Sequence, residues 1–78
     1  MITELVRYIV QQLVEDPSKT VVTVEEQPSA LIVHITVEQK DRGRVIGRDG
    51  QTIKALRAFL STLVPADTYV TIELIHPA

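Results

Sequence analysis

Cysteine and tryptophan are absent from this 78-residue chain, and its only aromatic side chains are Tyr8, Phe59 and Tyr69. Without thiols there is neither a disulfide framework nor a thiolate metal site, which fits a reducing compartment. Long apolar runs are missing as well. The longest span a few residues, short of a membrane helix or a signal-peptide core, and Met1-Ile2-Thr3-Glu4 carries no basic stretch ahead of an apolar one. No membrane span is expected, and a soluble cytoplasmic protein is. Catalytic constellations are equally scarce. A nucleophile needs a base within reach, yet the only histidines are His34 and His76, each expected to be an ordinary surface residue. Glu15-Asp16 and Glu25-Glu26 are neighbours in sequence and diverge in space, so they form no carboxylate dyad. No metal-ligand spacing is present and no cofactor is expected. The chain does not read as an enzyme.

What is present reads as one small globular domain over residues 1–78, with 45% hydrophobic and 23% charged residues. A domain of this size buries only roughly 60% of the surface its unfolded chain exposes, so it must pack efficiently or lean on a partner. The net charge of −2 hides an uneven distribution. Residues 40–57 hold Lys40, Arg42, Arg44, Arg48, Lys54 and Arg57 against Asp41 and Asp49, a local charge of +4 that leaves −6 on the rest. For choice of partner the local field outweighs the total. A charge run is commonly just a solvated helix face. Here it surrounds a glycine loop, and that favours an anionic ligand.

Periodicity supplies the elements. Ile2, Leu5, Val6, Ile9, Val10, Leu13 and Val14 recur at helical spacing as one apolar stripe, and Pro17 is expected to end that helix. A β-branched strand over residues 20–24 follows, then Pro28-Ser29, then a strand over residues 30–38. In the latter Leu31, Val33, Ile35 and Val37 share one face, while Ala30, Ile32, His34 and Thr36 share the other. A short helix over residues 41–46, capped by Asp41, is broken by Gly47. A longer helix runs from Gly50 to about Val64, with Ile53, Leu56, Phe59, Leu60 and Leu63 at helical spacing. A last strand over residues 68–75 turns Val70, Ile72 and Leu74 inward. The order α-β-β-α-α-β predicts an α+β fold: a three-stranded mixed sheet, first pair antiparallel, second pair parallel through a helical crossover, with three helices on one face.

The candidate chemistry lies between the last two helices. Glycines at 47 and 50 accept positive φ and leave no Cβ in the way of a sugar-phosphate strand. The helix that Gly50 opens offers unpaired amides and a dipole that favours an anion. Arg48 at the loop tip has a guanidinium suited to phosphate oxygens. Val45, Ile46 and Ile53 are expected to wall a shallow apolar groove, with Arg44, Lys54 and Arg57 around it. A Walker-type phosphate loop is excluded, because Gln51-Thr52 stand where its lysine and hydroxyl would follow the last glycine.

The stretch Val45-Ile46-Gly47-Arg48-Asp49-Gly50-Gln51-Thr52-Ile53 resembles the signature of KH domains: an apolar pair, Gly-x-x-Gly, and an apolar residue three positions on. Gly43 matches the small residue often found in the first KH helix. The element order is similar to the type II, prokaryotic arrangement, and the match covers nearly the whole chain, as in small stand-alone bacterial KH proteins. The resemblance implies that Gly47, Arg48, Asp49 and Gly50 clamp the backbone of about four nucleotides of single-stranded RNA. It further implies an RNA chaperone acting in post-transcriptional regulation linked to cell shape or division, working in the cytoplasm and pairing with a larger KH-containing protein. Asp49 would repel a phosphate, and Tyr8 and Phe59 are expected in the core, leaving ring stacking, worth roughly 1–3 kcal/mol per base, largely unavailable. Modest affinity and weak sequence preference are therefore expected. The alternative is a protein-interaction module on the same scaffold, a homodimer or heteromer in which the loop is only a turn. Ile32, on the outer sheet face, and the small core suggest that another chain covers part of the surface.

Overall fold

The computed structural model describes residues 1–75; His76 lies outside the described residues. Helix α1 spans Ile2–Leu13, strand β1 Val21–Gln27, strand β2 Ala30–Thr36, helix α2 Arg42–Ile46, helix α3 Gln51–Ser61 and strand β3 Tyr69–Ile75. Among the described residues these form one mixed sheet in the order β1-β2-β3, with β1 antiparallel and β3 parallel to the central strand. The expected order and pairing are those observed.

The core fills the space between one sheet face and the helices. Leu31, Val33 and Ile35 of β2 are buried against Val6 and Val10 of α1, Val45 of α2, and Leu56 and Leu60 of α3, with Val22 and Val70 from the flanking strands. Fully burying an aliphatic side chain of this kind contributes about 1.5–3 kcal/mol, so β2 is the mechanical centre of the fold. Ile72 and Leu74, expected to be buried, are only partly so. They belong to the edge strand β3, which has a sheet neighbour on one side only.

Element ends differ from the periodicity for local reasons. β1 runs on to Gln27 because Glu25, Glu26 and Gln27 pair with Ile32, Leu31 and Ala30, closing a hairpin through Pro28-Ser29. α1 stops at Leu13, with Val14 extended, before Pro17 has any influence. The amides of Glu15 and Asp16 are instead taken by the carboxylate of Asp41, each at 3.0 Å. Asp41 is therefore not a side-chain cap of α2; it is fully buried and ties the end of α1 to the start of α2. α3 stops at Ser61 because Thr62 turns back on the Phe59 carbonyl, its hydroxyl at 2.6 Å and its amide at 3.0 Å. Such hydroxyl-to-backbone bonds compete with the continuing helix. Among the described residues no helix is long and apolar enough to cross a membrane.

Candidate nucleic-acid interface

The loop between α2 and α3 holds three departures from ordinary backbone. Gly47 has φ 78° and ψ 171°, Asp49 φ 56° and ψ 25°, and Gly50 φ 73° and ψ 15°. The two glycines are required differently. A Cβ at Gly47 would overlap the Thr52 side chain and sit 2.8 Å from the Thr52 backbone nitrogen, whereas at Gly50 it would meet only Lys54 Cε at 3.8 Å. Gly47 is needed for space and conformation, Gly50 for conformation alone. Asp49 has a backbone reason as well, since aspartate is among the few side chains that tolerate the left-handed region. At Gly43 a Cβ would meet open space.

The Gly47 amide donates to the Gly43 carbonyl at 2.9 Å and closes α2, and the Gly50 amide donates to the Gly47 carbonyl at 3.1 Å. No side chain caps the start of α3. The Gln51 amide donates to the Arg48 carbonyl, and the positive end of the α3 dipole favours an anion beside the loop. Arg48 and Asp49 are both exposed at the tip.

Beside the loop a groove of about 230 Å³ runs between α3 and the edge strand, with Ile53, Lys54 and Arg57 on one wall and Tyr69, Thr71 and Ile72 on the other. A second hollow of about 410 Å³ continues it past Ala58 and Ser61 toward Thr68. Of the residues expected here, Gly47, Arg48, Asp49, Gly50, Ile53, Lys54 and Arg57 cluster at the loop and the groove. Val45 does not: it is fully buried in the core, because the inward face of so short a helix must anchor it. Ile46 is half-buried and outside the groove lining. Arg44 is turned away, donating to Asp41 Oδ1 at 2.7 Å and lying 3.4 Å from Glu15 Oε2. The β3 wall escaped the sequence reading. Its signal was the parallel pairing itself, which lays β3 alongside α3.

The six cations of residues 40–57 differ in their partners. Lys40 pairs with Glu15 at 3.2 Å, which holds its ammonium above its ordinary range, and Arg44 pairs with Asp41 and Glu15. The Glu15 amide, ahead of the Asp16 amide and the Arg44 guanidinium, holds the Asp41 carboxyl below the usual carboxylate range against the opposing pull of burial. Arg42 donates to the Ile75 carbonyl at 3.2 Å. Arg48, Lys54 and Arg57 take part in no ion pair among the described residues.

Elsewhere, Tyr8 and Phe59 are 63% and 44% exposed, so neither is the core residue expected. Each sits at the margin of its helix's apolar stripe, where the sheet no longer covers it. On the outer sheet face His34 lies 3.2 Å from Glu73 and 3.8 Å from Glu25. Among the described residues no group of three or more His, Asp or Glu side chains is placed to hold a metal ion.

A mixed α-β-β-α-α-β sheet with Gly-x-x-Gly between its second and third helices defines a type II KH domain. The family model described as "KhpA/KhpB, KH domain" matches residues 3–73, and the chain belongs to that family. It is 35% identical over 73 residues to the RNA-binding protein KhpA of Thermotoga maritima, covering 94% of this chain and 97% of that one. It is also 33% identical over 74 residues to the RNA-binding protein KhpA of Chlamydia trachomatis, covering 94% and 95% of the two chains. The RNA-binding protein KhpA of Listeria monocytogenes is 40% identical over 57 residues, 73% of this chain and 75% of that one. Among solved structures, Era of Aquifex aeolicus superposes with a TM-score of 0.55 at 24% identity, over 95% of this chain and 29% of Era, a likeness of fold alone.

Proposed function

We propose that this chain, one KH domain over residues 1–78, binds single-stranded RNA. The backbone passes over Gly47-Arg48-Asp49-Gly50, and the bases lie in the groove between α3 and β3. The observation that carries this reading is a coincidence in space. A helix start without a side-chain cap and a loop with two positive-φ glycines and Arg48 at its tip lie next to a groove lined by Lys54 and Arg57, and none of these three cations has an acidic partner among the described residues. A turn needs none of the cations. The relatives named RNA-binding protein KhpA support the same reading. Finer parts of it are an RNA chaperone role in post-transcriptional regulation in the cytoplasm and assembly with a larger KH-containing protein.

The test is a titration of the purified chain against a fluorescently labelled single strand and the same sequence as a duplex, read by anisotropy at several salt concentrations. The expected result is preference for the single strand, with log K falling linearly in log[salt] as counterions are released. Absent binding, or equal binding to the duplex, would overturn it.

One observation favours a second, compatible role in association. Phe59 and Leu63, four residues apart, are 44% and 46% exposed. Apolar side chains so placed suit a homodimer or a heteromer with a second KH protein. Light scattering at high concentration, followed by the same measurement on Phe59→Asp, decides it. A strictly monomeric wild type with no partner recovered from cell extract would remove this role.

A further inference from the structure

The geometry points to Tyr69 as the base-stacking platform of the groove, the side chain that grips a nucleobase while Lys54 and Arg57 hold the phosphates beside it. This rests on the RNA-binding reading and adds to it the residue that contacts the base. Tyr69 is the one aromatic side chain on the groove, for neither Tyr8 nor Phe59 contributes to its lining. It is 67% exposed at the start of β3, where a large ring contributes little to the core. Its hydroxyl makes no hydrogen bond among the described residues.

Position separates this ring from an incidental surface tyrosine. Lys54, Arg57 and Tyr69 are the three residues common to both hollows, so the ring stands where the shallow groove opens into the larger space. With a strand rise of roughly 3.3 Å per residue, Tyr69 lies about 10 Å along β3 from Ile72, at the other end of the first hollow. That is room for bases between the loop and the ring. The opposite wall of the second hollow carries the small side chains of Ala58 and Ser61, which leaves space above the ring. Its backbone is held, the Tyr69 amide donating to the Ser29 carbonyl at 2.9 Å, so little backbone freedom is lost when a base settles on it. A ring flanked by two cations suits a nucleotide, with its π-face and its phosphate, better than an apolar peptide.

The test uses the full chain grown with 3-fluorotyrosine, which places fluorine at Tyr8 and Tyr69 only; Tyr8→Phe assigns the two resonances. Addition of a short unstructured RNA is expected to shift the Tyr69 resonance upfield and leave that of Tyr8 in place. By anisotropy, Tyr69→Leu is expected to weaken binding by about fivefold or more. Tyr69→Phe, which keeps the ring, is expected to bind within twofold of wild type. Thermal melts of both variants confirm the fold. If wild type binds RNA while the Tyr69 resonance stays put and Tyr69→Leu binds as well, the stacking role is overturned and the RNA-binding reading stands. A Tyr69→Phe loss equal to that of Tyr69→Leu also overturns stacking. If wild type gives no anisotropy change, the RNA-binding reading falls and this assignment falls with it.

Discussion

Two sets of cations within one 18-residue segment have been given different work. Lys40 and Arg44 face α1, where Glu15 and the buried Asp41 absorb their charge. Lys54 and Arg57 line the groove and Arg48 stands exposed in the loop, with only Asp49 among them. In sequence the two sets follow one another within a few residues and look alike. Counted by position, six basic residues suggest a broad basic patch. Counted by partner, Arg48 in the loop and Lys54 and Arg57 on α3 form a narrow track, Lys40 and Arg44 act as internal ties, and Arg42 donates to the Ile75 carbonyl. A local charge sum overstates the field a ligand meets when the acids that cancel it arrive from elsewhere in the chain, as Glu15 does.

Breaking that comparison begins with the largest effect. Arg48→Asp makes the loop doubly acidic at the tip and is expected to reduce affinity for single-stranded RNA by about tenfold or more, some 1.4 kcal/mol. Stability at this exposed position should stay within about 0.5 kcal/mol of wild type. Anisotropy and thermal melts measure the two effects; an unchanged affinity would reduce the loop to a turn.

Lys54→Ala and Arg57→Ala are expected to weaken binding several-fold each, alike on all sequences. Each lost phosphate contact should flatten the slope of log K against log[salt] by about 0.7. Salt titrations of both variants check this, and an unchanged slope would move the contact surface elsewhere.

Asp49→Asn keeps a side chain suited to the left-handed backbone and removes the repulsion. Affinity should rise about threefold with no change in melting temperature. A fall would mean that the carboxylate itself touches RNA.

Arg44→Ala sharpens the contrast from the other side. It should change RNA affinity less than about twofold and cost about 1 kcal/mol of stability, since it takes a charge-assisted bond from Asp41. Equal losses of affinity for Arg44→Ala and Lys54→Ala would erase the distinction between the two sets.

The smallest signal is in pH. Asp41 has its folded pKa lowered, so the stability it confers is complete above the ordinary carboxylate range, near 3.9, and fades as pH falls through the lower folded value. Urea melts at neutral pH and below pH 4 should show that decline, and Asp41→Asn should diminish it. A decline of the same size in Asp41→Asn would assign it to other carboxylates.

Much of the fold was legible because faces have periods. The alternation of Leu31, Val33 and Ile35 against Ile32 and His34 marks the core side of β2 without reference to any other element. Gly47 and Gly50 were legible because their backbone angles are a property of residue type. The illegible parts depend on meetings across the chain. Asp41 reads as a cap because it precedes a helix, and only the fold brings the Glu15 and Asp16 amides to it. Val45 and Ile46 look equivalent as an apolar pair, yet one points into the core and the other does not. The β3 wall of the groove was hidden for a related reason. Thr71 and Tyr69 carry the outward parity of their strand, and only its place at the sheet edge turns them toward α3.

That edge position also sets when the groove comes into being. Ala30 pairs with Tyr69 and Thr36 with Ile75, so the parallel ladder joins residues far apart in order of synthesis. Contacts of such long separation form late and slowly. On the ribosome the first hairpin, the loop and α3 emerge before the strand that walls the groove, at roughly 5–20 residues per second. A nascent chain halted before Tyr69 already displays Gly47-Arg48-Asp49-Gly50 and still has no groove beside it. The third strand is also the one that gives the glycine loop a groove at its side.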